Sequence, residues 1–236
     1  LITSLTTTIT MLGFISGLIY YFIYYKNVLK LNDKFESKIP IGVLSIIFSG
    51  ILGLIATMIF ISPSFLIEKI KDFIQLAINP FGKSRWALTV AESIQPYFTD
   101  WISNIGKFFV YVFIFGSILL FYETVKKLKH KYYLTIAYTI FIFAFIMSRY
   151  SNSSILNGIN TISIILYLGS LIIFGLIIFY LYLKSFYKDK EEYNKFVGID
   201  KVHLFMIVWF LFMVVAARGA IRVLYIFAPV IVILSA

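Results

Sequence analysis

Long apolar runs broken by short polar stretches organise this chain. Runs near residues 5–25, 39–61, 108–122, 132–148, 162–183 and 202–217 are predominantly apolar, and a seventh begins near Val223. A membrane-crossing helix needs about 20 mostly apolar residues, so each run is read as a span. The shorter ones imply tilt or interfacial ends. The expected fold class is all-α, a polytopic transmembrane helix bundle with about seven spans and one long external loop. The chain begins at Leu1 rather than Met, shows no signal-peptide pattern before its first run, and stops at Ala236 inside an apolar stretch. Residues 1–236 are therefore expected to be a transmembrane segment of a longer polytopic protein.

The polar breaks are not alike. Lys26, Lys30, Lys34 and Lys38 follow the first run, Lys126, Lys127, Lys129 and Lys131 follow the third, and Lys184, Lys188, Lys190, Lys195 and Lys201 follow the fifth. These alternate breaks hold 13 of the 21 basic residues. Lysine-rich short loops stay on the cytoplasmic side, which assigns the other breaks to the exterior. All four arginines, Arg85, Arg149, Arg218 and Arg222, fall in that outer set. The expected location is thus an integral membrane protein of the cell membrane.

Composition agrees. The chain is 61% apolar and 14% charged, against about 45–50% and 25% for soluble domains. Water-soluble enzymes, disordered tails and nucleic-acid modules are poor fits. The net charge of +10 is explained by the lysine loops without nucleic acid as a partner; the partner it implies is the lipid bilayer. There is no cysteine and there are two histidines, His130 and His203. That removes disulfides, thiolate chemistry and histidine-based zinc sites.

The outer connection, residues 62–107, is the longest break. Ser62 and Pro63 suit a helix start. Leu66, Ile67, Ile70, Phe73, Ile74 and Ala77 follow at helical spacing, with Glu68, Lys69, Lys71, Asp72 and Gln75 on the other face. Such a helix lies in the membrane interface, as a platform beside a site or as a loop helix resting on lipid. Residues 81–106 are polar with interspersed Trp86, Tyr97 and Trp101, and contain Glu92 and Asp100. A stretch of that length without regular structure is often functional.

Few groups offer chemistry. Glu92 is a loop carboxylate, for which plain solvation competes with metal binding. Arg218 and Arg222 stand four apart between two apolar runs and share a face if the helix continues. Intramembrane arginine is expensive and points to function, while snorkelling at a span boundary is the competing account. Arg149 heads the outer stretch 149–154, where a loop or cap role competes with a ligand role. Lysine counting puts Glu92, Arg149, Arg218 and Arg222 on one side, where an acid for a hard metal and guanidinium groups for a phosphate can share a site. Mg²⁺ or Mn²⁺ wants several oxygen ligands, and Glu92 alone is not a site. Gly13 and Gly17 fit close helix packing, and Asn152-Ser153-Ser154 is a glycosylation sequon; both patterns are common by chance.

The stretch Thr89-Val90-Ala91-Glu92 with Gln95-Pro96 resembles the external-loop signature of the catalytic subunit of oligosaccharyltransferase, a short Thr/Ser-x-x-Glu motif. The segment Ala220-Ile221-Arg222-Val223-Leu224 with Ala228-Pro229 resembles that family's late transmembrane arginine segment, and residues 149–158 resemble its archaeal branch. The resemblance implies a GT-C fold with an external catalytic face. It implies transfer of a glycan from a polyprenyl (dolichyl) phosphate or pyrophosphate carrier to the asparagine of Asn-x-Ser/Thr in an acceptor protein. It makes Glu92 the catalytic and metal-binding residue for Mn²⁺ or Mg²⁺, and Arg222 the residue that holds the carrier phosphate. Arg218, Arg149 and Thr89 are further substrate-binding candidates. The family's upstream acidic residues and its sequon-reading domain are absent from this stretch, which is expected to be inactive alone. A transporter or flippase of lipid-linked sugars, or another GT-C enzyme, are the alternatives. A transporter predicts midplane charges and repeated halves; the chain shows no internal repeat, and its charges stand at the outer boundary.

Overall fold

The structure is a computed structural model. It describes residues 95–219 throughout and, outside them, residues 39, 40, 42–44, 46, 47, 50, 51, 55, 64, 67, 68, 71, 221 and 224. The chain divides into two compact units, Leu1–Ile74 and Gln75–Ala236. In the first unit the described residues from 42 onward are all helical. Ile46, Ile47, Ile51 and Ile55 are exposed there, as lipid-facing side chains of a span are, and so is Ile67 in the interfacial-helix region. The first predicted span lies outside the described residues, and of the seventh only Leu224, helical and buried, is described.

The second unit is all-helical among the described residues. Its elements are α1 (Phe98–Ile105), α2 (Lys107–Val125), α3 (Lys131–Met147), α4 (Thr161–Lys188), α5 (Lys190–Val197) and α6 (Lys201–Gly219). Three of them, α2, α4 and α6, are long and apolar enough to cross a membrane; α3 is a shorter apolar helix. They match four of the predicted runs within a few residues, except that α4 runs five residues further. At 1.5 Å per residue α4 is about 42 Å long, more than the roughly 30 Å hydrocarbon layer, so its lysine-bearing end extends past the apolar region.

The tight turn at 126–130 and the longer connection at 148–160 make α2, α3 and α4 run up, down and up. Aromatic rings join them. Phe121 of α2 stacks on Tyr138 of α3 at 4.3 Å, and Phe141 of α3 stacks on Phe174 of α4 at 4.8 Å, both nearly parallel. Phe210 carries α6 onto Phe113 of α2 at 6.1 Å, and Trp101 of α1 meets the same ring at 6.3 Å. Offset aromatic pairs add to simple burial, and they replace the small-residue contacts that often join helices in lipid. Outside this core the helices stay apolar: Phe115, Leu119, Ile140, Ile165, Ile173 and Phe205 are exposed. Helices apolar all round belong in a membrane, and the bilayer is the partner that covers these faces.

Two elements depart from the sequence expectation. Residues 98–105, read as part of an irregular stretch, form α1. The lysine-rich break after the fifth run contains α5.

Candidate functional site: an arginine cluster at one end of the bundle

The lysine-bearing turns stand at one end of the second unit, and Arg149 and Arg218 stand at the other. The arginine end is built from three segments. The Tyr97 amide donates to the Asp100 carboxylate at 2.7 Å, which starts α1. The next two amides, which a helix start leaves without internal partners, donate to the carbonyls of Arg149 (from Phe98, 2.8 Å) and Tyr150 (from Thr99, 3.3 Å). The Tyr150 amide in turn donates to the Leu156 carbonyl at 2.7 Å, and Arg149 and Asn157 face each other as an isolated antiparallel bridge. Asn160 caps α4 by accepting from the Ser163 amide at 2.9 Å, and Ser163 Oγ accepts from the Gly158 amide at 3.1 Å.

Arg149 is buried within this frame. Its Nη2 donates to the Gln95 carbonyl at 2.9 Å, and its guanidinium lies 4.2 Å over the Tyr97 ring. The Tyr97 hydroxyl reaches Asn152 Oδ1 at 3.2 Å. Burial pushes the Arg149 pKa below the ordinary arginine value, against the raising influence of Tyr97 and Asp100.

Arg218, near the end of α6, donates through Nη1 to the Phe145 carbonyl and to Ser148 Oγ. Phe145 is in the last turn of α3, whose carbonyls lack intrahelical partners, and a cation there also complements the helix dipole. The Arg218 guanidinium lies 4.3 Å over the Tyr167 ring of α4. One side chain therefore ties α6 to α3 and α4.

Both arginines line one small cavity with Pro96, Phe98, Trp101, Phe145, Ile146 and Val214. Its volume of about 10 Å³ is close to the lower limit for one water, so a phosphate does not fit between these groups as they stand. The structure thus brings together two of the predicted site residues, Arg149 and Arg218, beside Gln95-Pro96 of the quoted motif. Thr89, Glu92 and Arg222 lie outside the described residues. Among the described residues no three His, Asp or Glu side chains gather as metal ligands. Asp100, the acid near Arg149, is engaged at the α1 start, so the described donors do not fit Mn²⁺ or Mg²⁺.

Sequence reasoning missed Tyr97, Tyr167, Ser148 and the Gln95 carbonyl as arginine partners. Tyr97 is legible as an aromatic of the polar stretch and Tyr167 only as part of the fifth apolar run, and nothing in a sequence pairs a given ring or carbonyl with a given guanidinium. No family model, curated protein or solved structure matches this chain.

Proposed function

We propose that this chain is the membrane-embedded portion of a glycosyltransferase that uses a polyprenyl-phosphate-linked sugar, as the oligosaccharyltransferase catalytic subunit it resembles does. The arginine end is then the external, catalytic face. One observation supports the reading most. Arg149 and Arg218, from segments far apart in sequence, converge on one cavity beside Gln95-Pro96, which follows Glu92 by three and four residues. The chemistry suits the residue types. The leaving group is a phosphate, and fixed guanidinium groups stabilise charge that develops on it.

Within this reading the arginines divide their work. Arg149 and Arg218 hold α1, α3, α4 and α6 in register through carbonyls and rings. Arg222, four residues beyond Arg218, is the phosphate ligand. Glu92 carries the acidic role, and a metal enters only through it and acids outside the described residues.

The test uses the full-length protein, a polyprenyl-phosphate-linked glycan and a saturating Asn-x-Ser/Thr peptide. Arg222→Lys should raise KM for the carrier, because lysine keeps the charge but lacks the two-pronged geometry, and Arg222→Ala should raise it further. Glu92→Gln should lower kcat with folding intact. A raised carrier KM in Arg218→Ala with helical content and stability intact, beside a harmless Arg222→Ala, moves the ligand to Arg218. Harmless substitution of Glu92, Arg218 and Arg222 alike refutes the enzyme reading.

A further inference from the structure

The opposite end of the same unit carries a second arrangement, independent of the arginines. The α2–α3 turn and the α4–α5 corner meet there. Glu192, buried on α5, accepts from the Lys129 amide at 2.6 Å, and Asp189 accepts from the Glu192 amide at 3.1 Å to cap α5. The two carboxylates are thereby engaged in holding the corner. Between these segments is an open cleft of about 310 Å³, lined by Lys129, His130, Lys184 and Lys188 together with Asp189 and Glu192.

His130 and Leu181 line this cleft and also a second depression of about 410 Å³ between α3 and α4. That second space is almost wholly apolar, bordered by Tyr133, Ile173, Leu176, Ile177 and Tyr180. Lys184 marks the junction: it lines the cleft, and its Nζ is 6.0 Å from the centre of the Tyr180 ring, which borders the groove. A cleft in which three lysines outnumber two carboxylates held by backbone amides, opening into an apolar groove along a membrane helix, is complementary to one kind of molecule, a lipid with an anionic head and a hydrocarbon chain. A free anion leaves the groove without a role.

We propose that this cleft and groove bind a phospholipid of net negative charge from the leaflet at the lysine-rich end. Lys129, Lys184 and Lys188 receive the headgroup phosphate, and the groove between α3 and α4 receives the chain. Lysines that merely set orientation need charge near a span end and nothing more. The shared walls of cleft and groove, and the fixing of the Lys129 backbone by Glu192, are features such a role does not require.

The test is spin-label resonance of the full chain reconstituted in phosphatidylcholine vesicles. It compares the motionally restricted fraction of labelled phosphatidylglycerol with that of labelled phosphatidylcholine. The phosphatidylglycerol preference should be several-fold, since a lysine near anionic headgroups is worth up to about fivefold. The triple variant Lys129→Gln, Lys184→Gln, Lys188→Gln should bring it near parity. The triple variant Lys127→Gln, Lys190→Gln, Lys201→Gln removes equal charge outside the cleft and should keep most of it. Ile177→Trp, which fills the groove, should release both the restricted lipid and the preference, with helical content unchanged by circular dichroism. Equal losses in the two triple variants would reduce the effect to a general surface field. An unaffected Ile177→Trp variant, or full displacement of the lipid by inorganic phosphate, would overturn the lipid site in favour of a simple anion cleft.

Discussion

Gly158 offers the sharpest probe of the arginine end. Its φ is +82°, in a region that L side chains rarely adopt, and a Cβ placed on it would stand 2.8 Å from Arg149 Cγ and 3.0 Å from Arg149 Nη1. The Arg149 side chain cannot simply swing aside. It is buried, one nitrogen is committed to the Gln95 carbonyl, and its plane rests on Tyr97. Gly158→Ala therefore carries two penalties. The left-handed backbone costs about 1–2 kcal/mol with a Cβ. Displacing a packed side chain adds about 1–3 kcal/mol, for a total of about 2–5 kcal/mol. The second penalty vanishes in an Arg149→Ala background, where the atoms that clash are gone. A double-mutant cycle isolates it, with a coupling of about 1–3 kcal/mol in which the second substitution partly rescues the first. The assay is reversible unfolding of the full chain in mixed micelles, followed by circular dichroism. Additive effects in the cycle would mean that Arg149 does not pack on Gly158, and the three-segment frame described above would be wrong.

Two further outcomes are expected. Glu192→Ala should destabilise by about 1–3 kcal/mol, because it strands the Lys129 amide, while Glu192→Gln keeps an acceptor oxygen and should cost less; hydrogen exchange at Lys129 should quicken in the alanine variant before it does elsewhere in the bundle. Because the chain has no cysteine, single cysteines at exposed Ser153, Lys127 and Asn194 can be labelled cleanly with a membrane-impermeant maleimide in intact cells. Ser153→Cys should react and the other two should not; the same reactivity at Ser153 and Lys127 would contradict the alternating orientation read from the lysines.

The sequence showed the membrane helices because their signal is a long apolar run, which no competing element of this length imitates. It was weakest at the two eight-residue helices, where the signals are local. α1 carries Phe98, Trp101, Ile102 and Ile105 at helical spacing, with Asp100 three residues after Tyr97. α5 is capped by Asp189, with Glu192 three residues later, a capping pattern that the surrounding lysines masked. Both elements were legible in principle and were outweighed by composition. The arginine partners were not legible in the same sense. Arg149 meets Gln95 across 54 positions and Arg218 meets Phe145 across 73, and such pairings follow only from how the helices pack.

The split between lysine at one end and arginine at the other has a physical reason once those pairings are known. Lysines at the α2–α3 turn and along α4–α5 stand largely in solvent, where a compact hydrated ammonium pairs at most with a carboxylate of its own helix, as Lys126 does with Glu123 and Lys195 with Glu191. At the other end a cation must serve several groups inside a packed junction. Arg218 gives one nitrogen to both the Phe145 carbonyl and Ser148 Oγ while its plane lies over Tyr167; Arg149 gives one to Gln95 and lies over Tyr97. A planar guanidinium manages both kinds of contact at once, and an ammonium does not. Arginine at this end is therefore explained in part by helix assembly alone, which raises the demand on the enzyme reading. What the enzyme reading adds is a division of labour: Arg149 and Arg218 close the junction around a 10 Å³ cavity too small for a phosphate, and the proposed phosphate contact falls to Arg222, four residues beyond Arg218.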